Sequence, residues 1–397
     1  MTADKTDNKC PEVYMWRPWF PRGSYLSTLK QYFTTANSEE LTKDVEQKLG
    51  RYLGSRHVML MPSGTTAIFT VLQALFPESD GEVLLPSLVC ETVPYAVKAA
   101  GKRPVFLEIN PHTFNIDERL IKGKINAKTR AVIAVHQFGM PCNMAKILQI
   151  ARQNNLLVVE DAAQALGAEY NGKKAGTMGD IGILSFNNKV IDACSGGAVV
   201  TDNNEYFNKI IQYRNSHFSL TRKGFFRYLL RSWLLSEHPK LAFALAQRLP
   251  VEGGLTIRRK LNLITPVLLE GLLPLLDRII ERRRENFAWY HRYLTGRQVK
   301  KPVQDEGVQS SCTFYTIKLE RDSRDVVKLE LEKRHLYSDV LANAAHRKFD
   351  PKSELPVSTE VSQMMLSFPT DPHLNEEDIK FLSRVVNEIT KSLFHVG

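Results

Sequence analysis

Lys189 lies in the stretch SFNNKVIDACSGGAVVTDN (185–203), with polar turn residues before it and Val190, Ile191 and the pair Gly196-Gly197 after it. A lysine becomes a nucleophile only when its amine sheds a proton, which burial or a neighbouring cation promotes. A turn lysine otherwise reaches into solvent. Two other stretches carry related chemistry. In PSGTTA (62–67), Gly64 permits a tight turn, and Thr65 and Thr66 bring hydroxyls to the start of a helix. Free amides and the helix dipole there could hold an anion, although a plain Ser/Thr cap reads the same residues without a ligand. In LVVEDAAQALGAEYNG (157–172), Asp161 ends an apolar strand and is followed by Ala162, Ala163 and Gln164. A carboxylate there could pair with a cationic ring nitrogen while alanine leaves room for a flat ring, or it could simply cap the next helix. Taken in order, an anion-binding turn, a strand-end aspartate and a lysine after a strand offer one partner each to the phosphate, the pyridine nitrogen and the aldehyde of pyridoxal phosphate.

The elements that must position these residues follow a strand, turn, helix rhythm. It runs through HVMLMPSGTTAIFTVLQALF (57–76), EVLLPSLVCETVPYAVKAAGKRPVFLEIN (82–110) and RAVIAVHQFGMPCNMAKILQIARQNNLLVVEDAAQ (130–164). Such alternation predicts an α/β fold with a mostly parallel sheet covered on both faces. Ligands in such sheets bind beyond the carboxyl ends of the strands, where these turns fall. Leu41, Val45, Leu49 and Leu53 predict a preceding helix over 39–54 that stops at Gly54. After about residue 210 the rhythm is lost. The segment 217–254 is aromatic, basic and apolar, a long helix is predicted from roughly Pro266 to Leu294, and short strands mix with helices from 298 onward. The expected organisation is a large domain over 1–297, including the insert and the linking helix, and a smaller C-terminal α+β domain over 298–397.

With 43% hydrophobic and 24% charged residues, the chain has the balance of a soluble globular protein. Its cysteines (Cys10, Cys90, Cys142, Cys194 and Cys312) stand singly, without the spacing of a metal site or a disulfide framework, so a reducing compartment and no metal are expected. No apolar signal segment opens the chain, and the apolar stretch 261–276 is broken by Pro266, Glu270 and Pro274. It falls short of the ~20 apolar residues that span a bilayer, and a cytoplasmic location is expected. The formal charge of +10 is spread along the chain without a nucleic-acid-binding signature, and it suits anionic small substrates or an acidic lipid surface equally.

Together, these stretches resemble the DegT-type aminotransferases of nucleotide-sugar biosynthesis, a branch of the fold-type-I pyridoxal-phosphate enzymes. The resemblance is carried by SGTTA (63–67), PVFLEINPHTFNID (104–117), VHQFG (135–139), EDAAQALGA (160–168), GTMGDIGILSF (176–186), Lys189 with Gly196-Gly197, ERRRENFAWYHRYL (281–294) and LSFPTDPHLNEEDI (366–379). It implies a sheet of the seven-stranded type and a homodimer with shared active sites. The activity implied is transfer of an amino group from an amino acid, glutamate by expectation, to a nucleotide-linked keto sugar for amino-sugar or surface-polysaccharide synthesis. By position, Lys189 would hold the cofactor covalently and move protons. Asp161 would keep the ring nitrogen protonated, Gln164 would contact the phenolic oxygen, and Ala163 would pack under the ring. Ser185, Gly64, Thr65 and Thr66 would bind the phosphate. The alternatives are a sugar dehydratase of the same fold, whose members are said to replace the lysine with histidine, and a non-catalytic sugar-nucleotide-binding relative.

Four departures stand out. The turn from Ser185 to Lys189 is one residue shorter than the family pattern. Cys90 occupies the position where many members stack an aromatic ring on the cofactor, which leaves room for a bulkier substrate or makes Cys90 an ordinary buried cysteine, the reading preferred from the sequence. Where a partner-subunit asparagine usually reaches the phosphate, this chain carries Arg258-Arg259-Lys260, and Arg258 is taken as the candidate. The insert 217–254 suits either a peripheral membrane contact or a lid or dimer contact, and the second is adopted here because apolar stretches in soluble enzymes are mostly packed.

Overall fold

The computed structural model describes residues 38–78, 80–221 and 260–393, together with positions 13–15, 19, 28, 30, 33, 226, 229, 230, 233, 234, 237 and 238. Helix α1 (Ser38–Leu53) buries Val45, Leu49 and Leu53 on one stripe and ends where Gly54 takes φ 73°, a left-handed conformation that favours glycine. Strand β1 (His57–Met61) and helix α2 (Gly64–Leu75) follow, then β2 (Glu82–Pro86), α3 (Thr92–Ala99), β3 (Arg103–Leu107), β4 (Thr129–Val135), α4 (Met144–Gln153), β5 (Leu157–Asp161), β6 (Ile181–Ser185), β7 (Gly197–Thr201) and α5 (Asn204–His217).

Among the described residues these strands form a seven-stranded sheet in the order β1-β7-β6-β5-β4-β2-β3. Only β7 runs against its neighbours. Alternate side chains serve opposite faces, as the two-residue period of a strand requires. Leu60, Leu184, Ala198 and Val200 enter one core, while Met59, Met61, Ile183 and Val199 enter the other. The pairing register aligns Met61 with Gly197, Gly197 with Ser185, Asp161 with Ile183 and Val135 with Asp161. The carboxyl ends of β1, β4, β5 and β6 therefore share one edge of the sheet.

The long helix expected from Pro266 to Leu294 is instead two. Helix α6 (Ile264–Leu272) and helix α7 (Leu276–Tyr293) are separated by a 3₁₀ turn at Leu273–Leu275. Pro274 lies in that turn, where its ring and missing N–H interrupt the α-helical ladder, whereas Pro266 is tolerated in the first turn of α6. Ile279 and Ile280 of α7 pack under the sheet, and Tyr290 and Leu294 join a C-terminal core. That core closes around the antiparallel pair β8 (Phe314–Lys318) and β9 (Met365–Pro369), covered by α8 (Ser323–Glu332) and α10 (Glu376–Leu393), with α9 (Pro356–Met364) leading into β9. No described helix is long and apolar enough to cross a membrane.

Most of the insert, and Arg258, lie outside the described residues. Within the insert, Leu229 is buried in the core beneath the sheet, while Phe226, Leu230 and Trp233 are 53%, 55% and 38% exposed.

Candidate active site

The first turn of α2 is held by Ser63, whose Oγ accepts the Thr66 amide at 3.0 Å and lies 3.0 Å from Thr66 Oγ1. Thr66 is fully buried and engaged in this cap, whereas Thr65 stays partly exposed beside Gly64. The cap and the anion-site readings are thus compatible, because Ser63 and Thr66 brace a turn that leaves Gly64 and Thr65 at the helix start. A β-carbon at Gly64 would lie 3.4 Å from both Ser185 Cβ and Leu184 O, so the helix N-terminus and the end of β6 are in contact. The glycine pair makes this approach possible. Gly196 takes φ 93° and its amide donates to Pro62 O at 3.1 Å, and a β-carbon on Gly197 would come 2.6 Å from Gly64 N.

Asp161 is buried at the end of β5, and its Oδ1 accepts the Ala163 amide at 3.1 Å. Burial raises its pKa, opposed by that hydrogen bond and by the charge of Lys189. Ala163 beside it remains partly exposed. Gln164 is oriented by the Phe138 amide, which donates to its Oε1 at 2.7 Å, and its backbone carbonyl accepts Ser311 Oγ at 3.0 Å.

Lys189 follows β6 in a loop and is half-buried. With Met15, Trp19, Asp192, Phe314 and Asp371 it lines a shallow cleft open to solvent. Of the described candidate site residues, only Lys189 lines that cleft. The strand register and the close approach at Gly64 bring Gly64, Thr65, Ser185, Asp161 and Ala163 to one end of the sheet, and the charge of Lys189 acts on Asp161 there. Cys90 departs from the reading as a buried cysteine. It is exposed in the turn between Leu88–Val89 and α3, with Sγ 3.2 Å from Thr92 Oγ1, because the strand ends before it and its side chain falls outside the covered sheet. Lys260, the described end of the basic run that includes Arg258, is also exposed.

Three buried residues that brace these positions were not singled out in the sequence. Glu160 is fully buried and accepts the amides of Gly176, Met178 and Gly179. His136 completes the set. Its Nδ1 accepts the Cys142 amide at 3.0 Å, which leaves Nε2–H to donate to Glu160 Oε2 at 2.9 Å. Arg283, buried on α7, donates to the carbonyls of Lys189 and Val190. A glutamate closing an apolar strand, and an arginine in register with Ile279, Ile280 and Asn286 on the buried stripe of α7, were the available signals.

Comparison with known proteins follows the same lines. The model of the DegT/DnrJ/EryC1/StrS aminotransferase family matches residues 27–390. The chain is 28% identical over 359 residues to a GDP-perosamine synthase of Caulobacter vibrioides, covering 87% of this chain and 89% of that protein. It is likewise 28% identical to a UDP-N-acetyl-3-dehydro-alpha-D-glucosamine 3-aminotransferase of Acidithiobacillus ferrooxidans, covering 86% of each. Among solved structures, Helicobacter pylori PseC, an aminotransferase involved in the biosynthesis of pseudoaminic acid, shares the fold with a TM-score of 0.81 at 21% identity, over 96% of this chain and all of that one.

Proposed function

The chain belongs to the DegT/DnrJ/EryC1/StrS aminotransferase family, and from that premise we propose that it uses pyridoxal phosphate to move an amino group from glutamate to a keto sugar carried on a nucleotide. The observation that carries this reading is the approach of the α2 N-terminus to Ser185 at the sheet end where Asp161 also lies, with the charge of Lys189 acting on Asp161. The donor set suits the cofactor. A helix start flanked by hydroxyls matches a phosphate dianion. A buried carboxylate whose ionisation is opposed by burial gains most from a cationic ring nitrogen beside it. Both relatives are named for nucleotide-linked sugars, which supports the substrate class.

Bound there, the cofactor would supply an electron-withdrawing ring that stabilises negative charge at the substrate carbon. The chain would do the rest. Gly64, Thr65 and Ser185 would hold the phosphate on the turn that Thr66 braces from below through Ser63. Asp161 would keep a proton on the ring nitrogen, and Gln164, its amide oriented by Phe138, would steady the phenolic oxygen. Ala163 would leave room for the ring to lie flat against it. Lys189 would anchor the group through its amine and, once released, would take or give the proton at the carbon of whichever substrate is bound. By its place in the family pattern, Cys90 would present a thiol to the cofactor where many members stack an aromatic ring. The same reading extends to a cytoplasmic homodimer serving amino-sugar or surface-polysaccharide synthesis, with Arg258 of each subunit facing the other's phosphate and the chain dividing into two units near residues 297 and 298.

The test is borohydride reduction of the pyridoxal-phosphate-loaded protein followed by peptide mapping, then a screen of keto-sugar nucleotides with glutamate as donor. Label on Lys189 and amination of a nucleotide sugar are expected. Label confined to another lysine would overturn the assignment.

A further inference from the structure

Arg283 lines the same cleft as Lys189 and is only 4% exposed. A guanidinium in such a place has two possible roles, binding a substrate anion or holding the protein together, and its hydrogen bonds decide between them. Nε donates to Val190 O at 3.2 Å, and Nη2 donates to Lys189 O at 3.2 Å and to Asp371 Oδ1 at 2.8 Å. Nη1 donates to Thr313 O at 3.3 Å and to Thr370 Oγ1 at 3.1 Å. An arginine has five N–H groups in a fixed fork, and these contacts use all of them. None is left for a substrate carboxylate or phosphate.

Three separate parts of the chain meet on that fork. One is the loop that carries Lys189, the second is Thr313 at the start of β8, and the third is Thr370-Asp371 at the end of β9. The third part is itself fastened, because Asn286 Nδ2, one helical turn along α7, donates to the carbonyls of Thr370 and Asp371 at 3.0 and 2.8 Å. Asp371 supplies the counter-charge that a buried guanidinium requires.

We propose that Arg283 is a positioning residue for Lys189. It holds the lysine's own carbonyl, so it sets where the amine starts its reach, and it makes that position depend on Asp371 and hence on the C-terminal strand pair. The proposal rests on the reading of Lys189 as the nucleophile. A rigidly held loop matters there because a misplacement of ~1 Å at a reacting group can cost about 100-fold in rate.

The experiment compares Arg283→Met, Arg283→Lys and Asp371→Asn in the full-length protein. Amide hydrogen exchange of residues 186–194 is measured without cofactor, and the rate at which Lys189 takes up added pyridoxal phosphate is followed by near-visible absorbance. In folded Arg283→Met, exchange in the loop should rise severalfold while β5 stays protected, and uptake should slow by about 100-fold. Arg283→Lys keeps the charge beside Asp371 and should recover much of the melting temperature, but a point ammonium cannot bridge Lys189 O, Val190 O and Asp371 together, so uptake should stay slow. Asp371→Asn should move both readouts in the same direction by less. If Arg283→Lys restores uptake together with stability, or if all segments loosen in parallel, Arg283 is a packing residue and the proposal fails. Should Arg283→Met not fold, the other two variants decide by the same readouts. Failure of the wild-type protein to take up pyridoxal phosphate would sink the cofactor reading instead, and loop exchange would still test the clamp.

Discussion

His136 and Glu160 are joined by a 2.9 Å hydrogen bond with both side chains fully buried, one residue before Asp161. The last two carboxylates of β5 therefore have different surroundings. Glu160 is surrounded by donors from the 176–179 loop and the imidazole, while Asp161 receives the Ala163 amide and lies under the charge of Lys189. One carboxylate secures the loop that leads into β6, and the other is the one we propose meets the cofactor's ring nitrogen.

Glu160→Gln should destabilise the fold by about 3 kcal/mol, since the new amide group would point donors at buried donors and leave them unpaired. Urea unfolding measures this. An unchanged midpoint would mean that the 176–179 loop is held by other contacts.

Asp161 has a sign that can be worked out. Burial raises its pKa above the ordinary 3.8, so the folded state retains a proton that the unfolded chain releases. Its contribution to stability then falls as pH rises from 3.8 through the folded value, and the loss is complete above that value. The stability of the wild-type protein relative to Asp161→Asn should decline from acid to neutral pH without cofactor, and pyridoxal phosphate should relieve the decline. The same variant should fold yet lose orders of magnitude in transamination rate. A flat stability difference with near-normal turnover would remove Asp161 from both roles.

Gly167 takes φ 75°, and a β-carbon there would lie 2.1 Å from Ile280 Cδ1 and 2.8 Å from Tyr52 Oη. Gly167→Ala should cost roughly 1–3 kcal/mol from overpacking, with backbone strain in addition. Thermal denaturation reads it, and a variant as stable as the parent would show that α7 can move aside freely.

Trp233 is partly exposed on the insert, whose buried anchor is Leu229. In the dimer-contact reading, Trp233→Ala should weaken self-association by about 2 kcal/mol, the scale of an aromatic anchor in an interface. Sedimentation analysis across concentrations measures it. Salt-sensitive co-sedimentation with anionic vesicles, lost on deleting 222–236, would assign the segment to a lipid surface instead.

Much of this molecule was legible before any tertiary contact was known. The three strand, turn, helix units, the stop of α1 at Gly54 and the order of the PSGTT, EDAAQ and Lys189 stretches follow from short-range periods and turn chemistry, which depend on residues only a few positions apart. The break at Pro274 was also written locally, although the apolar spacing on either side hid it. Other features depend on chain closure. That Cys90 is exposed follows from where the strand ends, and that Gly197 had to be glycine follows from how closely β7 passes the start of α2. Arg283 and Lys189 are 94 positions apart, and in the sequence Arg283 is one of three consecutive arginines. Helical register places it on the buried stripe of α7, but only the folded chain delivers the Lys189 carbonyl and the Asp371 carboxylate to its fork, because hydrogen-bond partners are chosen by distance in space and not by spacing along the chain.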